Sequence, residues 1–170
     1  PLFECGRCKT TNIRAPNPDD YTKNTIKSID VATKLGISLY YSGARLGHIS
    51  NSFCGAAGSN FFVTPTGDVS TCLEVSRISD PLSKIFMIGH YDQGLFVFDN
   101  SKIDYLSNRT IDKLSDCKDC FVKYNCGGDC LAKVYQQSGD LMKTDNNYRC
   151  SINQELLLDE IKRKVVVNGW

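Results

Sequence analysis

The chain has 170 residues, and its 20 Lys and Arg nearly balance 19 Asp and Glu, for a formal charge of +1. That length suits one domain, or a small domain joined to part of another, and the charge balance gives no electrostatic footprint for nucleic acid or an anionic membrane surface. No stretch approaches the ~20 apolar residues that span a bilayer.

In chain order, residues 1–50 read as β-α-β. Leu2-Phe3-Glu4-Cys5 ends a strand, and Cys5-Gly6-Arg7-Cys8 opens a loop. Asn17-Pro18-Asp19-Asp20 is a strong helix start, with Asn as the cap, Pro in the first turn and acids at the positive end of the dipole. Tyr21, Thr25, Ile29 and Ala32 recur at helical spacing, Gly36 ends the helix, and Ile37 to Tyr41 follows as a buried strand. Such alternation suits a parallel α/β barrel or sheet, which one unit cannot complete. Together with the Pro1-Leu2-Phe3 start, this suggests a piece of a longer protein.

Ser42 to Gly47 reads as a crossing loop between domains. Phe61-Phe62-Val63 and Val69-Ser70-Thr71 flank Thr64-Pro65-Thr66-Gly67, a β-hairpin signal that carries Cys72 back toward the segment holding Cys54. Ile85 to Gly89 and Leu95 to Phe98 are short strands or an apolar lid, and the pattern leaves both open. Ser101 to Leu114 has moderate helical periodicity. Leu131, Val134 and Tyr135 mark a short helix that Gly139 ends. Ser151-Ile152-Asn153-Gln154 has the form of a capping box, and the helix it opens turns Leu157, Leu158 and Ile161 inward. The basic run Lys162-Arg163-Lys164 is its solvated, negative end.

Nine cysteines stand out against this background. An odd count, two C-x-x-C pairs (Cys5/Cys8 and Cys117/Cys120) and no secretory leader pattern favour metal ligation in a reducing, cytoplasmic setting over a disulfide scaffold. Cys117-x2-Cys120-x5-Cys126-x3-Cys130 is a dense thiolate run. Its Gly127-Gly128 pair lets backbone approach closely and lets amides point at sulfur. With Cys54, Cys72 and Cys150 there are seven spaced thiolates, more than one tetrahedral or cubane centre uses. A zinc ribbon would use two C-x-x-C knuckles, and the run from Cys117 to Cys130 has one.

The order Cys54…Gly67-x4-Cys72…Cys117-x2-Cys120-x5-Cys126-x3-Cys130…Cys150 resembles the SPASM domain, the auxiliary-cluster domain of radical S-adenosylmethionine enzymes that modify peptides. The match covers residues 54–150. It implies two auxiliary 4Fe–4S clusters, one held by Cys117, Cys120, Cys126 and Cys150, the other by Cys54, Cys72 and Cys130. Crossing of one cysteine from a dense run to the other cluster also occurs in two-cluster ferredoxins.

Two departures bear on the branch of the family. The sulfatase-maturing branch has a further cysteine where this chain has Asn60, and an Asp proton acceptor where it has Leu73. A three-thiolate cluster keeps an open iron, which could bind a substrate thiolate as in thioether-forming maturases, or be closed by water or by a group such as Asp68 or Asp129. The radical-generating C-x3-C-x2-C run is absent, with Lys133 where a third cysteine would follow Cys126 and Cys130. S-adenosylmethionine and a third cluster therefore belong to a missing N-terminal part, and no residue here is assigned to that cofactor.

Other candidates have ordinary explanations. Cys5 and Cys8 make an incomplete site, His48 and His90 lack companions at ligand spacing, and Tyr40, Tyr41 and Arg45 follow a barrel-like strand where sites occur. The expected architecture is α+β. It comprises a residual β-α-β of a partial TIM-like barrel (1–50), a small β-hairpin/helix iron–sulfur domain (51–150) and a C-terminal helix (151–170). The implied function is the C-terminal part of a peptide maturase acting on a peptide or small protein, with flavodoxin or ferredoxin as electron partner. The competing reading is a non-catalytic zinc-binding interaction module.

Overall fold

The computed structural model describes residues 11, 13–144 and 148–167; the expected strand end at 2–5 and the Cys5/Cys8 pair lie outside these. Helix α1 (Pro18–Lys34) starts where its cap sequence places it. The Asn17 side chain accepts the N–H groups of Asp19 and Asp20 at 2.9 and 3.2 Å, satisfying two otherwise orphaned donors. At the far end Gly36 takes φ +67, so the Ile37 N–H returns to the Ala32 carbonyl (2.8 Å) and the Gly36 N–H to Thr33 (3.1 Å). This paired closure needs a residue free to adopt the left-handed region.

The strand expected at Ile37–Tyr41 does not form. These residues are irregular, with Ile37, Leu39 and Tyr40 respectively 59%, 45% and 80% exposed. Among the described residues this run pairs with no strand, so its N–H and C=O groups gain no ladder. Of the expected β-α-β, the described residues contain the helix.

The sheet is an antiparallel meander of β1 (Phe62–Val63), β2 (Asp68–Ser70), β3 (Met87–Asp92) and β4 (Leu95–Phe98), in that order. The expected first hairpin is present. Gly67 takes φ +87, and Thr64 closes the turn through its N–H to the Asp68 carbonyl (2.8 Å) and its hydroxyl oxygen to the Asp68 N–H (3.0 Å). Between a lid and strands, residues 87–98 are strands. Gln93 and Gly94 both have positive φ (45 and 91), the two-residue turn whose twist matches a hairpin. A short helix, α2 (Ser83–Phe86), precedes them.

The main core lies under this sheet, where Val69, Val75, Phe86, Leu106 and Leu131 are fully buried. The helix expected through Leu114 stops early: α3 spans Asn100–Ser107, and single 3-10 turns follow at Ile111–Lys113 and Ser115–Cys117. After α4 (Lys123–Cys126), α5 (Leu131–Ser138) ends at Gly139 with φ +71, as its sequence predicts.

Helix α6 (Arg149–Val167) corrects three expectations. It begins two residues before Ser151, whose hydroxyl donates to the Tyr148 carbonyl (3.0 Å) inside the first turn and does not cap it. Leu157 is buried, but Leu158 faces outward at 41% exposure. Arg163 is not simply solvated: it pairs with Asp159 (2.5 Å) and, across to α1, with Asp30 (2.6 Å). That bridge, with the packing of α1 on α6, ties the N-terminal helix to the C-terminal one.

Candidate metal centre

The seven described cysteines are free thiols, and they fall into two neighbourhoods. Cys117 ends the second 3-10 turn, Cys120 follows it, Cys126 ends α4 and Cys150 stands in the first turn of α6. All four line one small, apolar cavity together with Ile111, Val122 and Gly128. Cys72 lies just past β2, its N–H held by the Ser70 hydroxyl at 3.3 Å. Cys130 caps α5, and Cys54 is exposed in the loop before β1. These three feel one another's charge.

Burial sets the protonation of both groups. It pushes the Cys117 thiol up to about 11, with the neighbouring Cys126 and Cys120 adding to the effect and Arg109 opposing it. Burial likewise raises Cys72 to about 11, opposed by the Glu74 N–H and reinforced by Cys130, Glu74 and Cys54. Cys126 and Cys130 are also raised, mainly by burial. Thiols in this state hold their protons at neutral pH and give them up to a bound cation.

The backbone around Cys126 is shaped for an electron-rich sulfur. Gly127, Gly128 and Asp129 have successive positive φ values of 65, 81 and 66, and the N–H groups of Gly128 and Asp129 hydrogen-bond the Cys126 sulfur. Consecutive backbone N–H groups turned inward in this way form an anion-binding nest. Gly127 has a second role, because a Cβ there would sit 2.5 Å from the Ser52 carbonyl carbon and 2.6 Å from the Phe53 nitrogen. Its close approach seats the four-cysteine loop directly on the segment that carries Cys54. Asn125 tightens that seat, its side chain donating to the carbonyls of Arg45 (3.0 Å), Leu46 (3.3 Å) and His48 (3.0 Å).

Sequence reasoning singled out Asp129 but missed the two arginines buried beside it, Arg109 and Arg149. Arg109 is 1% exposed, donating from Nε to the Leu141 carbonyl (2.5 Å) and from Nη2 to those of Gly128 (2.6 Å) and Lys143 (3.3 Å). Its Nη1 is buried without a hydrogen-bond partner. Desolvation lowers its pKa, while Asp129 and the thiols of Cys117, Cys126 and Cys130 act in the opposite sense. Beside it Arg149 and Asp129 form a buried ion pair at 3.0 Å. Burying a cation is expensive unless negative charge accompanies it, and metal-bound thiolates would supply that charge. No local pattern in Ser107-Asn108-Arg109-Thr110 signals this burial.

The remaining candidates are placed as follows. Asn60 folds back over Gly55, its N–H on the Gly55 carbonyl at 2.8 Å, which sets it beside Cys54. Asp68 accepts the Thr66 hydroxyl (2.7 Å) in the hairpin turn. Asp129 is committed to Arg149 and also accepts the Cys130 N–H at 2.6 Å. Tyr40, Tyr41, Arg45 and His48 line a separate cavity of ≈ 450 Å³ between α1 and α6; burial pushes the Tyr41 phenol above its usual range. His90 pairs with Asp68 and Val97 in β3, and Leu73 is exposed.

Among the described residues no three His, Cys, Asp or Glu side chains converge on a point that would hold a single metal ion. Among the described residues no helix is long and apolar enough to cross a membrane. No protein-family model matches the chain, and no curated protein matches it.

Proposed function

We propose that this chain is the auxiliary-cluster part of a radical S-adenosylmethionine peptide maturase of the SPASM type. In this reading Cys117, Cys120, Cys126 and Cys150 hold one 4Fe–4S cluster, and Cys54, Cys72 and Cys130 hold a second. The observation that carries the reading is the partition of the seven thiols into one group of four around a cavity and one group of three. The fit of the surroundings supports it: N–H groups aimed at sulfur, a buried guanidinium and a largely apolar lining are what tune and shelter such a centre.

When bound, the clusters supply one-electron transfer to and from the substrate radical. The chain's own residues fix and desolvate the thiolates, balance their charge through Arg109, and join the two groups through the Gly127 contact. The chain lacks C-x3-C-x2-C, so radical generation falls to another part of the enzyme. The exposed run Ile37, Leu39 and Tyr40 is then the edge on which a partial barrel would continue. The electron partner is a flavodoxin or ferredoxin, and the setting is cytoplasmic.

Cys54 is the exposed member of the three-thiol group, with Asn60 beside it. Asp129 is turned to Arg149 and Asp68 to Thr66, which leaves the Cys54 side for an incoming substrate thiolate. Thioether formation is thus favoured over sulfatase maturation. Anaerobic reconstitution should give a brown protein with about eight iron and eight sulfide per chain, four to each cube. A cysteine-containing peptide should then perturb the spectrum of one cluster only. A colourless product holding about one or two zinc per chain would instead establish the interaction-module reading.

A further inference from the structure

Two side-chain amides of α6 reach the sulfurs of the four-cysteine group. Asn153 Nδ2 donates to Cys126 Sγ at 3.2 Å, and Gln154 Nε2 donates to Cys120 Sγ at 3.5 Å. The orientation of Asn153 is fixed by its other end: Oδ1 accepts the Ala44 N–H at 3.2 Å, so the nitrogen must face sulfur. Asn153 is 1% exposed, and its Oδ1 sits in space that only a glycine at position 43 leaves, since a Cβ there would lie 2.2 Å away. Cys126 therefore collects the Asn153 amide in addition to the N–H groups of Gly128 and Asp129, and Arg109 lies behind the same turn, bonded to the Gly128 carbonyl. Around the three-cysteine group, backbone N–H groups of Glu74 and Lys133 reach Cys72 and Cys130, and the Glu74 carboxylate is paired with the Lys133 ammonium at 2.5 Å; a carboxylate lies near each group, since Asp129, itself paired with Arg149, acts on both Cys126 and Cys130.

Each donor or positive charge beside a thiolate withdraws electron density and favours the reduced, more negative cluster. We propose that Asn153 and Gln154 are tuning residues that make the four-cysteine centre the higher-potential of the two, and so the acceptor for electrons passing between them. The step moves one electron: the reduced three-cysteine centre is oxidised, the four-cysteine centre is reduced, and no bond or proton changes. The inference rests on the cluster reading above.

The test is a redox titration of the anaerobically reconstituted full chain, followed by electron paramagnetic resonance. Cys130→Ser, which removes a ligand of the other group, identifies the four-cysteine signal. Asn153→Asp keeps the acceptor for Ala44 but replaces the donor with a carboxylate. It should lower the reduction equilibrium constant of that signal about tenfold, ~59 mV for one electron. Gln154→Leu should shift the same signal by less and in the same direction, and it decides the matter if the Asn153 variant does not fold. Glu155→Gln, on the exposed side of α6, should leave both potentials in place. Unchanged potentials in both variants, or a four-cysteine centre lower than its neighbour in the parent chain, would overturn the inference while leaving the cluster reading intact. A chain that takes up no iron would overturn the cluster reading itself.

Discussion

Gly127 and Gly139 share a left-handed backbone but differ in what surrounds them. A Cβ on Gly139 would meet nothing within 4 Å, so Gly139→Ala should lose about 1 kcal/mol through backbone conformation alone. A Cβ on Gly127 would collide with the Ser52–Phe53 backbone, which cannot move without displacing Cys54. Gly127→Ala should therefore destabilise the chain by well over ~2 kcal/mol, as read by urea unfolding. Equal losses for the two would show that the Gly127 contact does not hold the two cysteine groups together. The Gly127-Gly128 pair was legible in the sequence as a place where amides could turn toward sulfur. Its packing against a segment more than seventy positions earlier was not, because no local pattern records such a contact. Arg109 was hidden for the same reason: its partners are carbonyls at 128, 141 and 143, reached only after the chain has folded.

Elements with local chemistry at both ends were legible. The Asn17-Pro18-Asp19-Asp20 cap, the Thr64–Gly67 turn and the Gly139 stop each carry their own hydrogen-bond solution, and each forms as written. Elements that depend on a partner were not. Ile37–Tyr41 has strand composition but no neighbouring strand, and α6 gains a turn before its apparent cap because Arg149 is drawn inward to Asp129. The β3–β4 hairpin remained undecided because Gln93 is an unusual residue for the first position of a turn needing two positive φ values. Gln93→Asn should accordingly raise stability by about 0.5 kcal/mol, measured as a shift in denaturation midpoint with an unchanged slope. A loss of stability would mean that the Gln93 side chain makes a contact that outweighs its backbone strain.

At the scale of the whole molecule, the order of the cysteines in sequence is not their grouping in space. Cys126 and Cys130 are one turn apart in the chain yet belong to different neighbourhoods, and Cys150 joins Cys117 from the far side of α5. The left-handed turn at 127–129 makes this division by reversing the chain between the two thiols. The buried Asp129, Arg149 and Arg109 occupy the boundary, and Asp129 and Arg109 act on thiols of both groups. The measurement that bears most directly on this account is iron content per chain across single Cys→Ser variants after anaerobic reconstitution. The account predicts that Cys117→Ser and Cys150→Ser each lose about four of eight irons and retain the three-cysteine centre. Cys54→Ser and Cys72→Ser should lose the other four. Uniform loss of all iron across the four variants, or a parent chain that binds zinc and no iron, would contradict it.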